Sequence, residues 1–310
     1  MGFDVSALED AVALHGRVAR VVIAAVQGSS PREVGASMLV WDGGQSGTIG
    51  GGALEYERAR AALKVGTAQL SRHALGPELG QCCGGAVQIV TEVFEPGALP
   101  TPQNDVFARA IDGSSAPPLT VQKLLKDARG GGMIEPQLLN GWFIEPLQKP
   151  TRDLWIWGAG HVGRALIDTL SPLPEFAITW VDTSEDRFPH DVPKTVVKLP
   201  ARAPAALVKH TPSDAEHIIL TYSHALDLEL CHQLLSHNFT FAGLIGSKSK
   251  WARFQNRLLT LGHAKSQMER IICPIGNPSL GKHPHAIAIG VSSSLLRAAQ
   301  TNVQTQRNSA

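Results

Sequence analysis

The feature that most constrains the fold is a glycine-rich turn between an apolar run, DLWIW, and a helical pattern, HVGRALIDTL. The residues that the G-x-G-x-x-G pattern assigns to this turn are Gly158, Gly160, His161 and Gly163. The first glycine permits a tight turn, the second permits a pyrophosphate to approach, and the third lets helix and strand pack closely. Asp182 ends the next apolar run, at the position of a ribose-binding acid. The pattern predicts a Rossmann-like turn that binds NAD(P), and a turn kept only for packing is the alternative.

Strand-like and helix-like segments alternate from residue 151 to the end of the chain. Such alternation predicts a doubly wound parallel sheet, which we assign to residues 150–310. Pro146 and Pro150 mark the boundary that precedes it. The polar residues from Thr301 onward are predicted to be frayed.

The first half of the chain, residues 1–149, is predicted to be a separate glycine-rich α/β domain. Its predicted elements are strands at 21–26, 36–41 and 86–94 and a helix at 53–63. Proline and glycine are frequent near residues 96–140, which predicts a loop-rich stretch with a short helix near 105–111.

Three consecutive glycines, Gly50, Gly51 and Gly52, directly precede the predicted helix of this first half. Consecutive glycines at a helix start can direct several backbone N–H groups at one anion. The turn is therefore a candidate site for a phosphate or an oxyanion. The alternative is a flexible connection from strand to helix.

A pair of adjacent cysteines, Cys82 and Cys83, is flanked by glycines that include Gly84 and Gly85. Such a loop can present a thiolate at a surface, where nearby amides lower the thiol pKa. The chain has no C-x-x-C partner for the pair, so a zinc site is not predicted. The alternative is that both cysteines are small buried residues. The two other cysteines, Cys231 and Cys273, are predicted to lie in the core.

Two further candidates follow predicted strands of the second half, where ligands bind in open α/β sheets. In the first, His224 is a candidate ligand-binding residue within reach of Asp227, and the alternative is a helix start with Ser223 as N-cap and the acid in the first turn. In the second, Ser247 and Lys248 precede a helix and suit a phosphate. Their alternative is a solvated basic face. The basic residues of that second segment are Lys248, Lys250 and Arg253.

Composition excludes several classes of protein. The chain of 310 residues has a formal net charge of +1, which gives no broad electrostatic footprint for nucleic acid or an anionic membrane. It has no apolar run of the ~20 residues that a membrane helix needs, and its first residues do not resemble a signal peptide. Four cysteines in so long a chain do not suggest a disulfide scaffold, so we expect a cytoplasmic protein.

Together these motifs resemble the XdhC/CoxI family of xanthine dehydrogenase accessory proteins. The segments that carry the resemblance, in chain order, are GSSPREVGASMLV, GTIGGGALE, GQCCGG, WIWGAGHVGRAL, VDTSEDRFP, TYSHALDLEL, FAGLIGSKSKWARF and CPIG. They extend from about Val21 to about Leu296.

The resemblance implies a chaperone that binds the molybdenum cofactor in its molybdopterin form, supports its sulfuration and inserts it into apo xanthine dehydrogenase, an enzyme of purine catabolism. The implied partners are the molybdenum-binding subunit of that enzyme and a cysteine desulfurase, and a homodimer is possible. Cys82 and Cys83 match the cysteine–glycine–glycine position of the family, and Cys83 is the preferred transient molybdenum contact. An NAD(P)-dependent oxidoreductase is the alternative function, and a purely protein-binding adaptor is a third.

Overall fold

The computed structural model describes residues 2–66, 68–76, 84–102, 104–111, 113 and 116–308, with side chains up to residue 298. The chain divides into two compact units, Met1–Lys149 and Pro150–Ala310, called here the N-terminal and C-terminal units. No helix within the described ranges combines the length and the apolar character needed to cross a bilayer.

The N-terminal unit is built around an antiparallel sheet. In chain order its described elements are α1 (Val5–His15), β1 (Val18–Gln27), β2 (Ser37–Trp41), β3 (Gly44–Gly47), α2 (Gly52–Ala62), β4 (Gln69–Ala74), β5 (Ala86–Phe94), β6 (Val106–Ala110), α3 (Leu119–Arg129), β7 (Gln137–Leu139) and β8 (Trp142–Pro146). The main sheet has the order β3-β2-β1-β5-β4, and a smaller sheet has the order β6-β8-β7. The predicted strands at 21–26, 36–41 and 86–94 and the predicted helix at 53–63 correspond to β1, β2, β5 and α2.

The central strand β1 is buried on both faces, which explains its continuous apolar run. On one face Ile23 packs in a cluster with Leu54 of α2. On the other face Val22 packs in a cluster with Phe143 of β8. Because a strand covered on both sides has no solvent face, its sequence does not alternate between apolar and polar residues.

The short helix predicted near 105–111 is wrong, since this segment forms the strand β6. Five residues cannot sustain an isolated helix, whereas as a strand all five lie opposite residues of β8, from Val106 opposite Pro146 to Ala110 opposite Trp142. The surrounding stretch 96–140 also contains α3, whose Val121 is fully buried in a cluster with Ile144. Tertiary pairing, rather than local propensity, decides the structure here.

The C-terminal unit confirms the predicted doubly wound parallel sheet. In chain order its elements are β9 (Arg152–Trp157), α4 (His161–Leu170), β10 (Phe176–Asp182), β11 (Val196–Pro200), β12 (Glu216–Ile219), α5 (His224–Leu235), β13 (Phe241–Leu244), α6 (Lys248–Thr260), α7 (Lys265–Met268), β14 (Ile271–Ile272) and α8 (Pro284–Asn308). All paired strands run parallel in the order β11-β10-β9-β12-β13-β14. The strand order reverses between β9 and β12, and the carboxyl ends of these strands border the crevice where ligands bind in such sheets.

Helices cover both faces of this parallel sheet. Leu166 of α4 and Val291 of α8 pack on one face in a single buried cluster. Leu230 of α5 and Phe254 of α6 pack on the other face. The backbone of α8 continues to Asn308, so the residues from Thr301 that were predicted to be frayed are helical.

Candidate functional site

The glycine turn of the C-terminal unit lies between β9 and α4, as predicted. Gly158 has a φ of +126°, and a Cβ there would lie 2.5 Å from the carbonyl oxygen of Leu220. A Cβ on Gly163 would collide with the carbonyl oxygen of Gly158. These two glycines therefore permit the close packing of turn, strand and helix.

Gly160 and His161 occupy the open part of the same turn. A Cβ added to Gly160 would have no described atom within 4 Å. His161 is the exposed first residue of α4, and no described side chain caps this helix. The positive end of the α4 dipole is therefore available to an anion in the crevice.

Asp182 has a structural role that the sequence did not reveal. Its buried carboxylate accepts hydrogen bonds from the backbone N–H of Ala159 and of Thr183, both at 2.6 Å. Arg187 lies 3.5 Å from the same carboxylate. Asp182 therefore fastens the glycine turn to the end of β10, and both of its oxygens already have donors.

Asp227 lies in the first turn of α5, as the helix-start interpretation proposed, and its side chain is buried. Its side chain is 1% exposed, and its carboxylate lies 2.5 Å from the Nζ of Lys250. Thr221 donates to it from the backbone N–H at 2.9 Å and from Oγ1 at 2.7 Å. The predicted contact with His224 is therefore replaced by this buried cluster, and His224 lies exposed at the start of α5. Ser223 caps α5 by accepting a hydrogen bond from Leu226, as the alternative interpretation proposed.

The predicted basic cluster at the start of α6 is divided by the fold. Ser247 caps α6 by accepting a hydrogen bond from the backbone N–H of Lys250 at 3.1 Å, and both Ser247 and Lys248 are exposed. Lys250 turns inward and donates to the carbonyl oxygen of Ile245 at 3.1 Å as well as to Asp227. A signal for this burial was present in the sequence, because Lys250 continues the i, i+4 series of the buried Phe254 and Leu258.

In the glycine turn of the N-terminal unit, backbone amides already bind an anion, the carboxylate of Glu55. The Oε2 atom of Glu55 accepts hydrogen bonds from Oγ1 of Thr48 at 2.5 Å and from the backbone N–H groups of Ile49 and Gly51, both at 3.0 Å. Burial tends to raise the pKa of Glu55, but these hydrogen bonds outweigh it and hold that pKa below its usual range.

The remaining glycines of this turn are accounted for in part. The backbone N–H of Gly50 donates to Oγ1 of Thr48 at 3.1 Å, and Gly52 begins α2 with a φ of +68°. The expectation that Gly50, Gly51 and Gly52 offer open amides to a ligand is therefore corrected, because the amides of Gly50 and Gly51 already have acceptors. Sequence reasoning missed the role of Glu55, although its position three residues after the last glycine was visible.

Three glycine-containing segments of the N-terminal unit meet at one end of the main sheet. A Cβ on Gly50 would lie 2.6 Å from Cγ of Pro31. A Cβ on Gly85 would collide with the carbonyl oxygen of Ser29, and one on Gly28 would lie 3.3 Å from Gly85 Cα. The loop between β1 and β2 therefore contacts the glycine turn on one side and Gly85, which follows the cysteine pair in the sequence, on the other.

The candidates Cys82 and Cys83 lie outside the described residues. Gly84 is exposed, and Gly85 is buried against the loop after β1. The strand before the cysteine segment, β4, ends at this end of the sheet, and the strand after it, β5, begins there.

The two described cysteines are thiols at neutral pH. Cys231 is fully buried, as predicted, and burial raises the pKa of its thiol. Cys273 is half-buried and packs against the apolar cluster that contains Cys231, and burial raises the pKa of the Cys273 thiol to about 11. Within the described residues, no group of three histidine, cysteine or carboxylate side chains is arranged to hold a metal ion.

Two family models match this chain. The model described as the XdhC and CoxI family matches residues 11–74, and the model described as the XdhC Rossmann domain matches residues 154–295. Both glycine turns lie inside the matched segments, and the cysteine pair lies between them.

Two individual proteins are similar over most of the chain. An uncharacterized protein of Escherichia coli K12, YqeB, is 23% identical over 279 residues, which cover 87% of this chain and 41% of that relative. The chain therefore spans well under half of the length of this curated relative. A crystal structure described as a xanthine dehydrogenase from Bacillus halodurans is 22% identical, with a TM-score of 0.69 over 97% of this chain and 96% of that one. At this identity the likeness shows a shared fold.

Proposed function

The chain belongs to the XdhC and CoxI family, and from this premise we propose that it is an accessory protein in the maturation of a xanthine dehydrogenase. The proposal is supported by the two matched family models and by a similar structure that carries the name of that enzyme. On this proposal the chain is a carrier and not a catalyst, because its task ends when the cargo is handed over.

The cargo is the molybdenum cofactor, a phosphorylated molybdopterin whose dithiolene holds the metal. The observation that carries this step is the meeting of the loop after β1, the Gly50–Gly52 turn and Gly85 beside the cysteine pair. Cys83 contacts the molybdenum transiently, with Cys82 as the alternative, since a thiolate is a soft metal ligand. A single soft contact permits release, whereas a full set of protein ligands would hold the metal.

The partners that this role requires are the molybdenum-binding subunit of the dehydrogenase, which receives the cargo, and a cysteine desulfurase, which supplies the sulfur. A second copy of the chain is a further possible partner. The exposed Gly84 and the buried Gly85 support this role, because the two residues that follow Cys83 in the sequence carry no side chain.

The test is anaerobic incubation of the protein with the cofactor, gel filtration, and activation of apo-dehydrogenase. Wild type is expected to elute with molybdenum and pterin fluorescence, and Cys83→Ala or Cys82→Ala to lose both retention and activation. Cys273→Ala is the control, since it removes a partly accessible thiol that lies in the other unit. Absence of cargo in the wild-type fractions, or full activity of the double variant Cys82→Ala/Cys83→Ala, would overturn the proposal. The second result would favour an adaptor that only binds proteins.

A second candidate function is an NAD(P)-dependent oxidoreductase. It is favoured by the strand order of the C-terminal sheet and by the open Gly160 position before the uncapped α4. Calorimetric titration with oxidised and reduced NAD and NADP separates the two functions. Tight binding with turnover of a substrate would support the oxidoreductase, and binding without turnover would leave a carrier that senses a nucleotide.

A further inference from the structure

The crevice of the C-terminal unit has an arginine where nucleotide-binding folds of this kind contact a ribose. Asp182 ends β10, the second strand of the unit, and Arg187 follows it closely in the chain. In such folds the residues after this strand contact the adenosine ribose, through an acid in NAD sites and through an arginine in NADP sites. We propose that the crevice selects nucleotides with a phosphate on the 2′ oxygen of that ribose, as in NADP, and that Arg187 binds this phosphate.

This inference rests on the nucleotide site of the second candidate function and names the class of nucleotide that the site accepts. It is independent of the carrier function, because it concerns residues of the C-terminal unit alone. A carrier that senses a nucleotide and an oxidoreductase that uses one would both show the same preference.

The carboxylate of Asp182 is not available to a ribose hydroxyl. Asp182 is only 3% exposed. Its Oδ2 accepts a hydrogen bond from the backbone N–H of Ala159 at 2.6 Å, and its Oδ1 accepts hydrogen bonds from the backbone N–H of Thr183 at 2.6 Å and from Oγ1 of Thr183 at 3.1 Å. Because the 2′-hydroxyl of NAD needs an accessible acceptor here, NAD loses the contact that an acid at this position normally supplies.

Arg187 keeps donors that a phosphate can use. Its side chain is 35% exposed, and its Nε lies 3.5 Å from Oδ1 of Asp182, which is longer than an ordinary hydrogen bond. Among the residues that the structure describes, neither Nη atom of Arg187 has a hydrogen-bond acceptor. A guanidinium can donate two parallel hydrogen bonds to one phosphate, so Arg187 has the geometry for this group.

Two contacts hold Arg187 beside the glycine turn. Its Cζ lies over the ring of Tyr222, 4.5 Å from the ring centroid, and Tyr222 belongs to the loop after β12. Arg164 of α4 donates to the carbonyl oxygen of Arg187 at 3.0 Å and to that of Ala159 in the turn at 3.2 Å. A guanidinium that stacks on an aromatic ring can still donate hydrogen bonds in its own plane. Because Arg187 is positioned before a ligand arrives, binding costs less conformational entropy.

The acids next to Arg187 in the chain have other partners. Glu185 forms an ion pair with Lys198 of β11. A hydrogen bond from the side chain of Ser184 holds the pKa of Asp186 below its usual range. Within the described part of this loop, therefore, no acid accepts a hydrogen bond from Arg187, and the guanidinium remains available to an incoming phosphate.

The test is calorimetric titration of the full chain with NADP, NAD, adenosine 2′,5′-bisphosphate and adenosine 5′-diphosphate. The last two compounds carry the same number of phosphate groups, so they separate the position of a phosphate from the total charge. Wild type is expected to bind NADP at least about tenfold more tightly than NAD, the equivalent of one hydrogen bond to a charged group. It is likewise expected to prefer the 2′,5′-bisphosphate to the 5′-diphosphate.

Arg187→Gln is expected to lose both preferences and to bind NADP as weakly as NAD. Arg257→Gln is the matched control, because Arg257 is an exposed arginine of the same unit in the last turn of α6. That helix begins after β13, so its last turn lies away from the carboxyl ends of the strands. The control is expected to keep the wild-type preference.

The proposal is overturned if wild type binds NADP and NAD equally, or if Arg187→Gln keeps the preference for NADP. Should Arg187→Gln fail to fold, equal affinity of wild type for the two adenosine compounds overturns it instead. Equal binding of NADP and NAD would leave the nucleotide site in place, whereas failure to bind any nucleotide would remove both the site and the proposal. Tight binding of NADP through Arg187 without turnover of a substrate supports the proposal and removes the oxidoreductase function alone.

Discussion

Arg20 of β1 and Glu145 of β8 form a bidentate ion pair that is fully buried between the two sheets of the N-terminal unit. The Nη1–Oε1 and Nη2–Oε2 distances are 2.7 and 2.8 Å, and the side chains are 1% and 0% exposed. Arg109 donates to the same carboxylate at 2.6 Å. Burial tends to raise the pKa of Glu145, but the charges of Arg20 and Arg109 outweigh it and hold that pKa below its usual range.

Glu145→Gln is expected to lower the free energy of unfolding by about 3–5 kcal/mol, because the buried guanidinium group of Arg20 loses its counter-charge, while Arg109 keeps only Glu92. Urea unfolding measures the change. Arg17→Gln is the matched control at an exposed pair with Glu95, and it is expected to cost less than about 1 kcal/mol. Equal costs for the two variants would show that burial does not strengthen the Arg20–Glu145 pair.

His217 is expected to make stability depend on pH below neutrality. It is fully buried on β12, where its Nδ1 lies 3.2 Å from the indole Nε1 of Trp157, and burial lowers its pKa to about 3. In the unfolded chain the ordinary pKa of histidine is about 6.5. Between these two pKa values the unfolded state binds a proton that the folded state does not. The contribution of His217 to the free energy of unfolding is therefore fully present above about pH 6.5, and it is lost progressively as the pH falls toward 3.

His217→Asn removes this titration and is expected to flatten the dependence of the unfolding free energy on pH between about 6 and 4. The slope attributable to one such histidine is at most about 1.4 kcal/mol per pH unit. Urea unfolding at several pH values measures it. His224→Asn, at an exposed histidine, is the control and is expected to keep the wild-type slope. If the unfolding free energy of His217→Asn depends on pH as steeply as that of wild type, the conclusion that His217 is buried as a neutral imidazole would be wrong.

Glu55 is expected to hold the N-terminal glycine turn in its observed conformation. Glu55→Gln keeps one carbonyl acceptor but replaces the charged oxygen that three donors share. Protection of the amides of Ile49 and Gly51 against hydrogen exchange is expected to fall by about tenfold, the equivalent of weakening one hydrogen bond to a charged group.

Glu57→Gln is the matched control for this measurement, since Glu57 is exposed on the same helix. Its exchange rates at Ile49 and Gly51 are expected to equal those of wild type. If the two variants behave alike, Glu55 is an incidental contact, and the turn is shaped by its glycines alone.

Local patterns in the sequence were sufficient to predict many of the strands and helices of the C-terminal unit. The helix α4 begins at His161, as the glycine pattern predicted, because a strand, a glycine turn and a helix start are all encoded within a few neighbouring residues. The parallel direction of the strands follows from the alternation of strand and helix. The strand β6 was missed because its partner, β8, lies more than thirty residues away in the chain.

The candidate site was predicted less well, because the hydrogen-bond and ion-pair partners of its side chains come from other segments of the chain, which sequence analysis considers one at a time. Asp227 is a helix-start acid, as one interpretation proposed, and Lys250 was interpreted as part of a solvated basic face, but the fold pairs the two inside the protein. In the same way Glu55 lies in the helix predicted at 53–63, and its carboxylate accepts a hydrogen bond from the backbone N–H of Gly51 in the glycine turn. A charged residue shows its type in the sequence, whereas its partner is set by long-range packing.

The two glycines Gly160 and Gly163 separate the packing role of the C-terminal turn from any ligand role. A Cβ on Gly163 would collide with the carbonyl oxygen of Gly158, so Gly163→Ala is expected to destabilise the unit by about 1–3 kcal/mol, as overpacking does. A Cβ on Gly160 meets open space among the described residues, and its φ of −72° suits any residue. Gly160→Ala is therefore expected to change the unfolding free energy by less than about 0.5 kcal/mol.

Urea unfolding and nucleotide titration of the same two variants then distinguish the interpretations of the turn. If a dinucleotide binds there, Gly160→Ala is expected to weaken its affinity although the protein remains stable, because the new methyl group stands where the pyrophosphate approaches. If the turn serves packing alone, neither wild type nor Gly160→Ala binds a nucleotide, and Gly163→Ala remains the one damaging change. Loss of stability in Gly160→Ala equal to that in Gly163→Ala would contradict both interpretations, since it would mean that the crevice beside Gly160 is closed.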